Sequence, residues 1–306
     1  LNPGVLVDPV PVEQDLRMVA VSRSPLASTD AEFVEAVHQC SGVGKCLANS
    51  TAAGGVMCPS FQATRDEKDS TRGRARALQE MVNGSLISRG WRSPEVHAAL
   101  DLCLSCKGCA RDCPTGIDMA AYKARVTHET YKGRLRPRNH YALGWLPRWG
   151  RLITTVPGLG RLVNAVGHAP GLGRALRWCA GVDRRRDIPQ FASRTARSRM
   201  EKSPAGTKGR VLIWVDSFSD CFESTSFAAM AQLLVRLGYE PEVHDKTACC
   251  GLTWISTGQL DGARRQLRTS AAVLAGYVAE GVPLVGGEPG CPAVRRRDAP
   301  ERLPGD

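Results

Sequence analysis

The sequence has no stretch that could cross a lipid bilayer, and it has few of the residues that enzymes use as acids and bases. No run approaches the roughly 18 apolar residues of a membrane-spanning helix. The first residues show no basic segment followed by an apolar stretch, which is the pattern of a secretory signal. Only six histidines are present, and they lie in unrelated contexts. We therefore expect a cytoplasmic chain, and we find no candidate for a general base.

Aromatic residues are also scarce, whereas positive charge is abundant. Phe, Trp and Tyr make up 6% of the chain, which disfavours recognition of single-stranded nucleic acid by base stacking. The formal charge of +11 fits nucleic acid, an anionic lipid surface or an acidic partner, and it equally fits a surface kept soluble by arginine. We expect no nucleic-acid partner. A metal-stabilised basic module that binds nucleic acid stays open as an alternative.

Cysteine, in contrast, is abundant, with twelve residues in the chain. In a chain without a secretion signal they favour metal or redox chemistry over disulfide bonds. Seven of them fall between residues 28 and 135. Cys179 belongs to no pattern, and we expect it to be packed in the interior.

Composition and hydrophobic period divide the chain into four zones. Residues 1–27, rich in Pro and Val, are expected to form an extended entry segment. Residues 28–135 carry capped helical stretches, and residues 136–205 form a basic helical linker broken by Gly and Pro. Residues 206–306 alternate strands and helices in the order β-α-β-α-β, which predicts a parallel sheet. The fold class is therefore mixed, with a helical part followed by an α/β part.

The linker has two interpretations. Its tryptophans stand beside arginines, and such a pattern can form a basic amphipathic face on a membrane surface. The residues concerned are Trp145, Trp149, Trp178, Arg148, Arg151 and Arg177. The alternative is a helical hairpin that covers another domain.

The densest cysteine pattern is "LCLSCKGCARDCP", in which Cys103, Cys106, Cys109 and Cys113 spell C-x2-C-x2-C-x3-C-P. This spacing is typical of iron–sulfur ligation. Zinc is the alternative, but it normally takes two separated C-x2-C pairs. We therefore predict a 4Fe–4S cluster here.

A second, incomplete copy of the pattern lies upstream, in "CSGVGKCLANSTAAGGVMCPS". It supplies Cys40, Cys46 and Cys58, with Val43 where the other copy has Cys106. In two-cluster proteins the fourth cysteine of each run ligates the other cluster. One cluster would then take Cys58 with Cys103, Cys106 and Cys109. The other would take Cys113 with Cys40 and Cys46, as a 3Fe–4S centre, as a 4Fe–4S cluster with a non-cysteine ligand, or as a relic.

A basic stretch, "STRGRARALQEM", follows the first copy. Arg72, Arg74 and Arg76 in it are candidates for tuning a cluster, since local charge and hydrogen bonds set cluster potentials. The alternative is a solvated basic helix face.

These motifs carry a resemblance to a known family. With helices between the two halves, the arrangement resembles the α-helical ferredoxin fold of respiratory dehydrogenases. Together with "RLRPRNHYALGWLP" and "EPGC", it resembles the iron–sulfur portion of large FAD-linked oxidases, the D-2-hydroxyglutarate and D-lactate dehydrogenase type. The resemblance implies a flavin domain before this segment, with FAD bound outside this chain.

The C-terminal zone resembles the CCG cysteine-rich domain of heterodisulfide-reductase and glycolate-oxidase subunits. Cys249, Cys250 and Cys291 match that pattern, Val294 replaces its last cysteine, and Cys221 stands where a leading cysteine could be. The resemblance leaves a redox-active thiol group, residual ligands near the flavin, or a structural cysteine pair as alternatives.

The function that follows is electron transfer. A flavin would oxidise a D-2-hydroxy acid (D-2-hydroxyglutarate, D-lactate or glycolate), and this chain would pass the electrons to quinone or another acceptor. Its expected partner is a flavin-binding domain or subunit, with peripheral contact to the inner face of a membrane left open. The alternative is a thiol–disulfide redox protein that uses the CCG cysteines.

Overall fold

The computed structural model describes residues 30–49, 52, 54–84, 86–200, 206–244, 246 and 248–303. Within them the chain is mostly helical with one small parallel sheet. It divides into two compact units, Leu1–Lys132 and Gly133–Asp306. The predicted entry segment lies outside the described residues, and the predicted boundaries at residues 135 and 205 stay predictions.

The first unit is helical in its described part. Its helices are α1 (Ala31–His38), α2 (Pro59–Thr64), α3 (Thr71–Asn83), α4 (Pro94–Asp101), α5 (Gly108–Asp112) and α6 (Met119–Thr130). Short 3-10 turns at Lys45–Leu47, Glu67–Asp69 and Gly90–Arg92 connect them.

Side chains that hydrogen-bond to the first turn start three of these helices. Asp30 and Asp118 cap α1 and α6, and Ser70 caps α3 by accepting from the Gly73 N–H at 2.9 Å. Ser93 holds the cap position before Pro94, but its hydroxyl is buried without a hydrogen-bond partner. Helix α4 therefore begins at Pro94 without a side-chain cap.

One apolar core holds the helices of the first unit together. Fully buried side chains from α3, α4 and α6 fill it, with Phe33 and Val37 of α1. Four of the cysteines, Cys40, Cys46, Cys58 and Cys109, belong to the same core. The cysteine loops are therefore held by packed helices on several sides.

The second unit begins with helices. These are α7 (Arg138–Ala142), α8 (Leu146–Thr155), α9 (Leu159–His168), α10 (Leu172–Ala180) and α11 (Ala196–Arg199). The predicted break of this stretch into short helices is confirmed. Cys179 on α10 is exposed, so the expectation that it is packed is wrong.

A parallel sheet follows in the order β2-β1-β3. Its strands are β1 (Arg210–Trp214), β2 (Glu240–Val243) and β3 (Leu284–Gly286). The helices around them are α12 (Ser217–Cys221), α13 (Ser224–Arg236), α14 (Leu252–Ser256), α15 (Leu260–Ala279), α16 (Gly290–Ala293) and α17 (Ala299–Arg302). Central β1 is buried over four of its five residues. The predicted parallel sheet is confirmed.

None of the helices in the described residues is both long enough and apolar enough to cross a membrane.

Candidate metal centre

Four thiols from the two cysteine-rich segments line one pocket of the first unit. They belong to Cys58, Cys103, Cys106 and Cys109. Cys58 immediately precedes α2, Cys103 and Cys106 lie in the loop between α4 and α5, and Cys109 is on α5. These are the four residues that the crossed ligand assignment places on the complete cluster.

The loop that carries three of these thiols needs unusual backbone conformations. Ser105 and Lys107 have φ values of 53° and 56°, in the left-handed region that non-glycine residues rarely adopt. A Cβ at Gly108 would stand 2.9 Å from Val56 Cγ2, so the loop and the Val56 segment pack closely. The C-x2-C-x2-C spacing therefore forms a tightly turned loop here, and the small size of Gly108 allows it to approach Val56 closely.

A carboxylate joins the two halves of the pocket. Asp112 Oδ2 accepts hydrogen bonds from the N–H groups of Val56, at 2.7 Å, and of Met57, at 3.2 Å. The pKa of the Asp112 carboxyl is lowered, and the hydrogen bond from the Val56 N–H is the largest cause. This contact holds the residues just before Cys58 against α5. Sequence reasoning missed Asp112, because a residue inside a motif gives no sign of a partner 55 positions away.

The pocket contains a buried positive charge. Arg74 is 1% exposed and donates to Ala99 O at 2.9 Å, to Ser60 Oγ at 2.9 Å and to Cys58 Sγ at 3.4 Å. Among the described residues no carboxylate pairs with it. Burying a charge without a counter-charge is costly, so Arg74 needs an anion, and the nearest group that can supply one is the sulfur of Cys58.

The surroundings of Cys58 favour its thiolate form. Burial raises the pKa of Cys58, but hydrogen bonds outweigh it, the largest of them with the hydroxyl of Ser60. The Thr71 hydroxyl and the charge of Arg74 act in the same direction, and the pKa of Cys58 is lowered. Thiolates are the form that ligates metals.

The surroundings of Cys109 favour its protonated form instead. Burial raises the pKa of Cys109 to about 12, although the N–H of Met119 donates to its sulfur at 3.4 Å. Without a metal this thiol stays protonated at neutral pH, so binding a metal there must release a proton.

The remaining cysteines of this unit, Cys40, Cys46 and Cys113, do not line this pocket. Cys46 accepts a hydrogen bond from the Arg72 N–H at 3.3 Å. Burial is the largest cause that raises the pKa of Cys46, with smaller contributions from Cys40 and Cys58. The thiol of Cys113 contacts Thr115 Oγ1 at 3.2 Å and does not line the pocket of Cys58. Whether Cys40, Cys46 and Cys113 hold a cluster stays a prediction.

The three candidate arginines divide between these places. Arg74 faces the pocket, whereas Arg72 and Arg76, four residues apart on α3, face the loop of the first cysteines. A Cβ at Gly44 would stand 3.5 Å from Arg72 Nη1, and a Cβ at Gly42 would stand 3.5 Å from Arg76 Nη2. Residues four apart share a helix face and residues two apart do not, which explains why one helix serves both places.

The donor set fits an iron–sulfur cluster. Tetrahedral zinc with Zn–S bonds of about 2.3 Å needs sulfur atoms about 3.8 Å apart. In the described residues no three His, Cys, Asp or Glu side chains lie close enough to hold a single metal ion. Four thiols around a pocket, a buried cation and an N–H donated to a sulfur suit a larger anionic group.

The CCG cysteines lie in the second unit. Cys250 and Cys291 are buried with their sulfur atoms 3.0 Å apart. The thiol of Cys249 adjoins that of Cys250, which raises the pKa of Cys249 together with burial. The guanidinium of Arg295 lies 3.4 Å from the ring centroid of Trp214. Burial lowers the pKa of Arg295, and the three nearby thiols act in the opposite direction.

Cys221 is placed elsewhere. A Cβ at Gly150 on α8 would stand 2.8 Å from Cys221 Sγ. Burial is the main cause that raises the pKa of Cys221 to about 11. The contacts described for Cys221 join it to α8 and not to the other three thiols. Its part in the CCG group stays a prediction.

Comparison with known proteins supports this picture. Residues 35–117 match the family model of the 4Fe-4S dicluster domain. D-2-hydroxyglutarate dehydrogenase of Pseudomonas putida is 27% identical over 355 aligned residues, which cover 100% of this chain and 34% of that protein. The glycolate oxidase iron-sulfur subunit of Escherichia coli is 25% identical over 200 residues, or 64% of this chain and 44% of that subunit. No solved structure gives a significant match.

These matches confirm the predicted resemblance. The chain contains a 4Fe–4S type domain and resembles the iron–sulfur portion of FAD-linked oxidases. It spans about a third of the length of the D-2-hydroxyglutarate dehydrogenase that it matches. These similarities support a role for this chain in iron–sulfur electron transfer.

Proposed function

We propose that this chain is the electron-transfer portion of a flavin-dependent D-2-hydroxy-acid dehydrogenase. FAD on a separate domain or subunit takes two electrons from the substrate, and this chain passes them on to quinone or another acceptor. The relatives named D-2-hydroxyglutarate dehydrogenase favour D-2-hydroxyglutarate over D-lactate and glycolate as the substrate.

One observation supports the proposal above all others, namely the pocket in which Cys58 meets Cys103, Cys106 and Cys109 beside the buried Arg74. When bound, a 4Fe–4S cluster accepts and releases single electrons. The chain supplies four thiolate ligands, and Arg74 stabilises negative charge at the sulfur of Cys58. The Met119 N–H donates to Cys109 and so disperses charge on that sulfur. Because Cys106 is exposed, the pocket reaches the surface there, where a redox partner can approach.

The test is anaerobic reconstitution of the chain with iron and sulfide, followed by EPR spectroscopy and reduction by a photoreduced flavin. We expect a reduced-cluster signal after mixing with the flavin, and its loss in Cys106→Ser. The matched control is Cys179→Ser, an exposed cysteine outside both groups, which should behave as the unmodified chain. Bound zinc without sulfide, or a cluster that reduced flavin leaves oxidised, would contradict the proposal.

The contact between Cys250 and Cys291 favours a second candidate function, thiol–disulfide redox chemistry. Their sulfur atoms are 3.0 Å apart, and a disulfide bond requires about 2.05 Å. With a small disulfide RSSR as the oxidant, the two thiols would form one S–S bond and release two molecules of RSH. The contact with Cys249 lowers the pKa of Cys250. The contact with Cys291 and burial outweigh this effect and raise the pKa of Cys250 to about 12.

Because the thiolate is the attacking form, oxidation of this pair should be slow at pH 7 and about tenfold faster at pH 8. Mass spectrometry of the chain incubated with oxidised glutathione measures this rate, with Cys291→Ser as the control that cannot close the bond. A rate that does not change with pH, or a mixed disulfide that persists without ring closure, would count against this candidate.

A further inference from the structure

Three helices of the second unit bury glycine and expose large apolar side chains. The buried residues of α8 are Pro147 and Gly150, and those of α9 and α10 are Gly167 and Gly173. The exposed side chains include Trp149, Leu152, Val156, Leu162, Leu172 and Trp178. A helix on a soluble domain normally turns its apolar stripe to the core. Here several of the largest apolar side chains are exposed instead.

Close backbone packing fixes this orientation. A Cβ at Gly150 would stand 2.8 Å from Cys221 Sγ, and one at Gly173 would stand 2.2 Å from Gly167 O. At Gly150 and Gly173 a side chain larger than hydrogen has no room. The helices therefore cannot turn their leucines inward without separating, and the exposure of these apolar side chains is a stable feature of the packing.

Each of the three helices carries exposed apolar side chains. On α8, Trp149 and Leu152 are 40% and 52% exposed, and their spacing of three residues places them on one side of the helix. Val156, which directly follows α8, is 43% exposed. On α9, Leu162 is 60% exposed, and on α10, Leu172 and Trp178 are 59% and 67% exposed. Exposed apolar patches often mark interaction sites.

The charged residues of these three helices have one sign. Residues 146–180 contain five arginines and no aspartate, glutamate or lysine. Arg151, Arg161 and Arg174 are exposed, and none of the three pairs with a carboxylate in the part of the chain that the structure describes. The face therefore complements a surface whose charge is uniformly negative.

We propose that the outer side of α8, α9 and α10 binds the surface of an anionic lipid bilayer. The helices lie along the interface, with Trp149, Leu152 and Leu172 among the acyl chains nearest the headgroups. The arginines reach the lipid phosphates. A protein surface would carry charges of both signs, which this face does not match. The proposal does not depend on the iron–sulfur function.

The test is co-sedimentation of the cluster-loaded 306-residue chain with vesicles. One set contains equal parts of phosphatidylglycerol and phosphatidylcholine, and the other contains phosphatidylcholine alone. The patch variant carries Leu152→Glu, Leu162→Glu and Leu172→Glu. The matched control carries Leu233→Glu, Leu237→Glu and Val278→Glu, which adds the same charge at exposed apolar residues elsewhere in the same unit.

We expect the unmodified chain to bind the anionic vesicles and to be released by salt. The patch variant should bind at least tenfold more weakly, and the control should stay within twofold of the unmodified chain. A second variant, Arg151→Gln with Arg161→Gln and Arg174→Gln, should bind more weakly and depend less on salt while leaving the apolar packing untouched. Circular dichroism checks that each variant is folded.

Three results would overturn the proposal. The first is an unmodified chain that stays in solution with anionic vesicles. The second is equal loss of binding in the patch variant and the control. The third is an unmodified chain that forms a dimer and binds no vesicles, together with a patch variant that is a monomer. That result would assign this face to contact between copies of the chain.

Discussion

Arg74 is the single residue that most directly links the protein scaffold to the chemistry of the pocket. Its guanidinium is 1% exposed and its nearest ionisable contact is Cys58, at 3.4 Å. A buried charge left without a partner is strongly destabilising. The scaffold is therefore complete only when negative charge is present at the thiols, and a cluster held by four thiolates supplies that charge.

Replacing Arg74 should change the cluster more than the fold. In Arg74→Gln the reduction potential should become more negative, because positive charge near the cluster favours the reduced form. Changes to groups that support metal ligands typically weaken binding by about 10- to 100-fold. Potentiometric titration and the rate of iron loss to a chelator measure the two effects.

Arg76→Gln is the matched control, since Arg76 lies on the same helix but faces the loop of Gly42. It should leave the potential of the cluster at Cys58 unchanged. In the apo chain, among the residues that the structure describes, the sulfur of Cys58 is the one group in contact with Arg74 that can carry negative charge, whereas a bound cluster brings four thiolates. Arg74→Gln should therefore reduce thermal stability less in the apo chain than in the loaded chain. Equal effects of the two substitutions on the potential would show that Arg74 has no special part.

The sequence predicted these residues with uneven success. The spacing of Cys103, Cys106 and Cys109 identified a metal-binding loop, because the ligands are local. Aligning the two halves pointed to Cys58, which the structure brings to the same pocket. The division of the three arginines and the exposure of Cys179 depend on tertiary packing, which no local pattern encodes.

At the scale of elements, the contact between α5 and the segment before Cys58 decides where the fourth thiol lies. Asp112, the last residue of α5, accepts two backbone N–H groups from that segment. The capped starts of α1 and α6 follow from the sequence because a cap is a local interaction. This contact does not, because it closes a loop of more than fifty residues.

The contact of Asp112 should depend on pH. Its pKa is lowered by the N–H groups that it accepts, so its contribution to stability is present above the unfolded value of about 3.9 and is lost as the pH falls through the lower folded value. In Asp112→Ala that contribution is absent at every pH. Urea unfolding of the apo chain should therefore separate the variant from the unmodified chain at pH 6, and the difference should shrink below pH 4.

A second measurement joins the same contact to the site. Asp112→Ala should also retain iron less well, by about 10- to 100-fold as for other supporting groups. Asp101→Ala on α4 is a suitable control, since its carboxylate lies outside this contact. A stability difference that grows on acidification would contradict the assigned role of Asp112.

At the scale of the whole molecule, the chain combines a helical unit that carries seven cysteines with an α/β unit that carries a separate group of thiols. The alternating pattern of the C-terminal zone predicted the parallel sheet correctly, because strand and helix periods differ along the sequence. The exposure of apolar side chains on α8, α9 and α10 was not predictable in detail. It depends on which side of each helix packs closely through glycine.

The central claim is that the two cysteine-rich segments exchange ligands, so that Cys58 completes the set of Cys103, Cys106 and Cys109. The most direct measurement is the iron and sulfide content, with EPR spectra, of reconstituted Cys58→Ala and Cys113→Ala. The account predicts that Cys58→Ala loses the complete cluster and that Cys113→Ala keeps it. A cluster that survives in Cys58→Ala and disappears in Cys113→Ala would show that the four cysteines of residues 103–113 bind one cluster among themselves, and the account would be wrong.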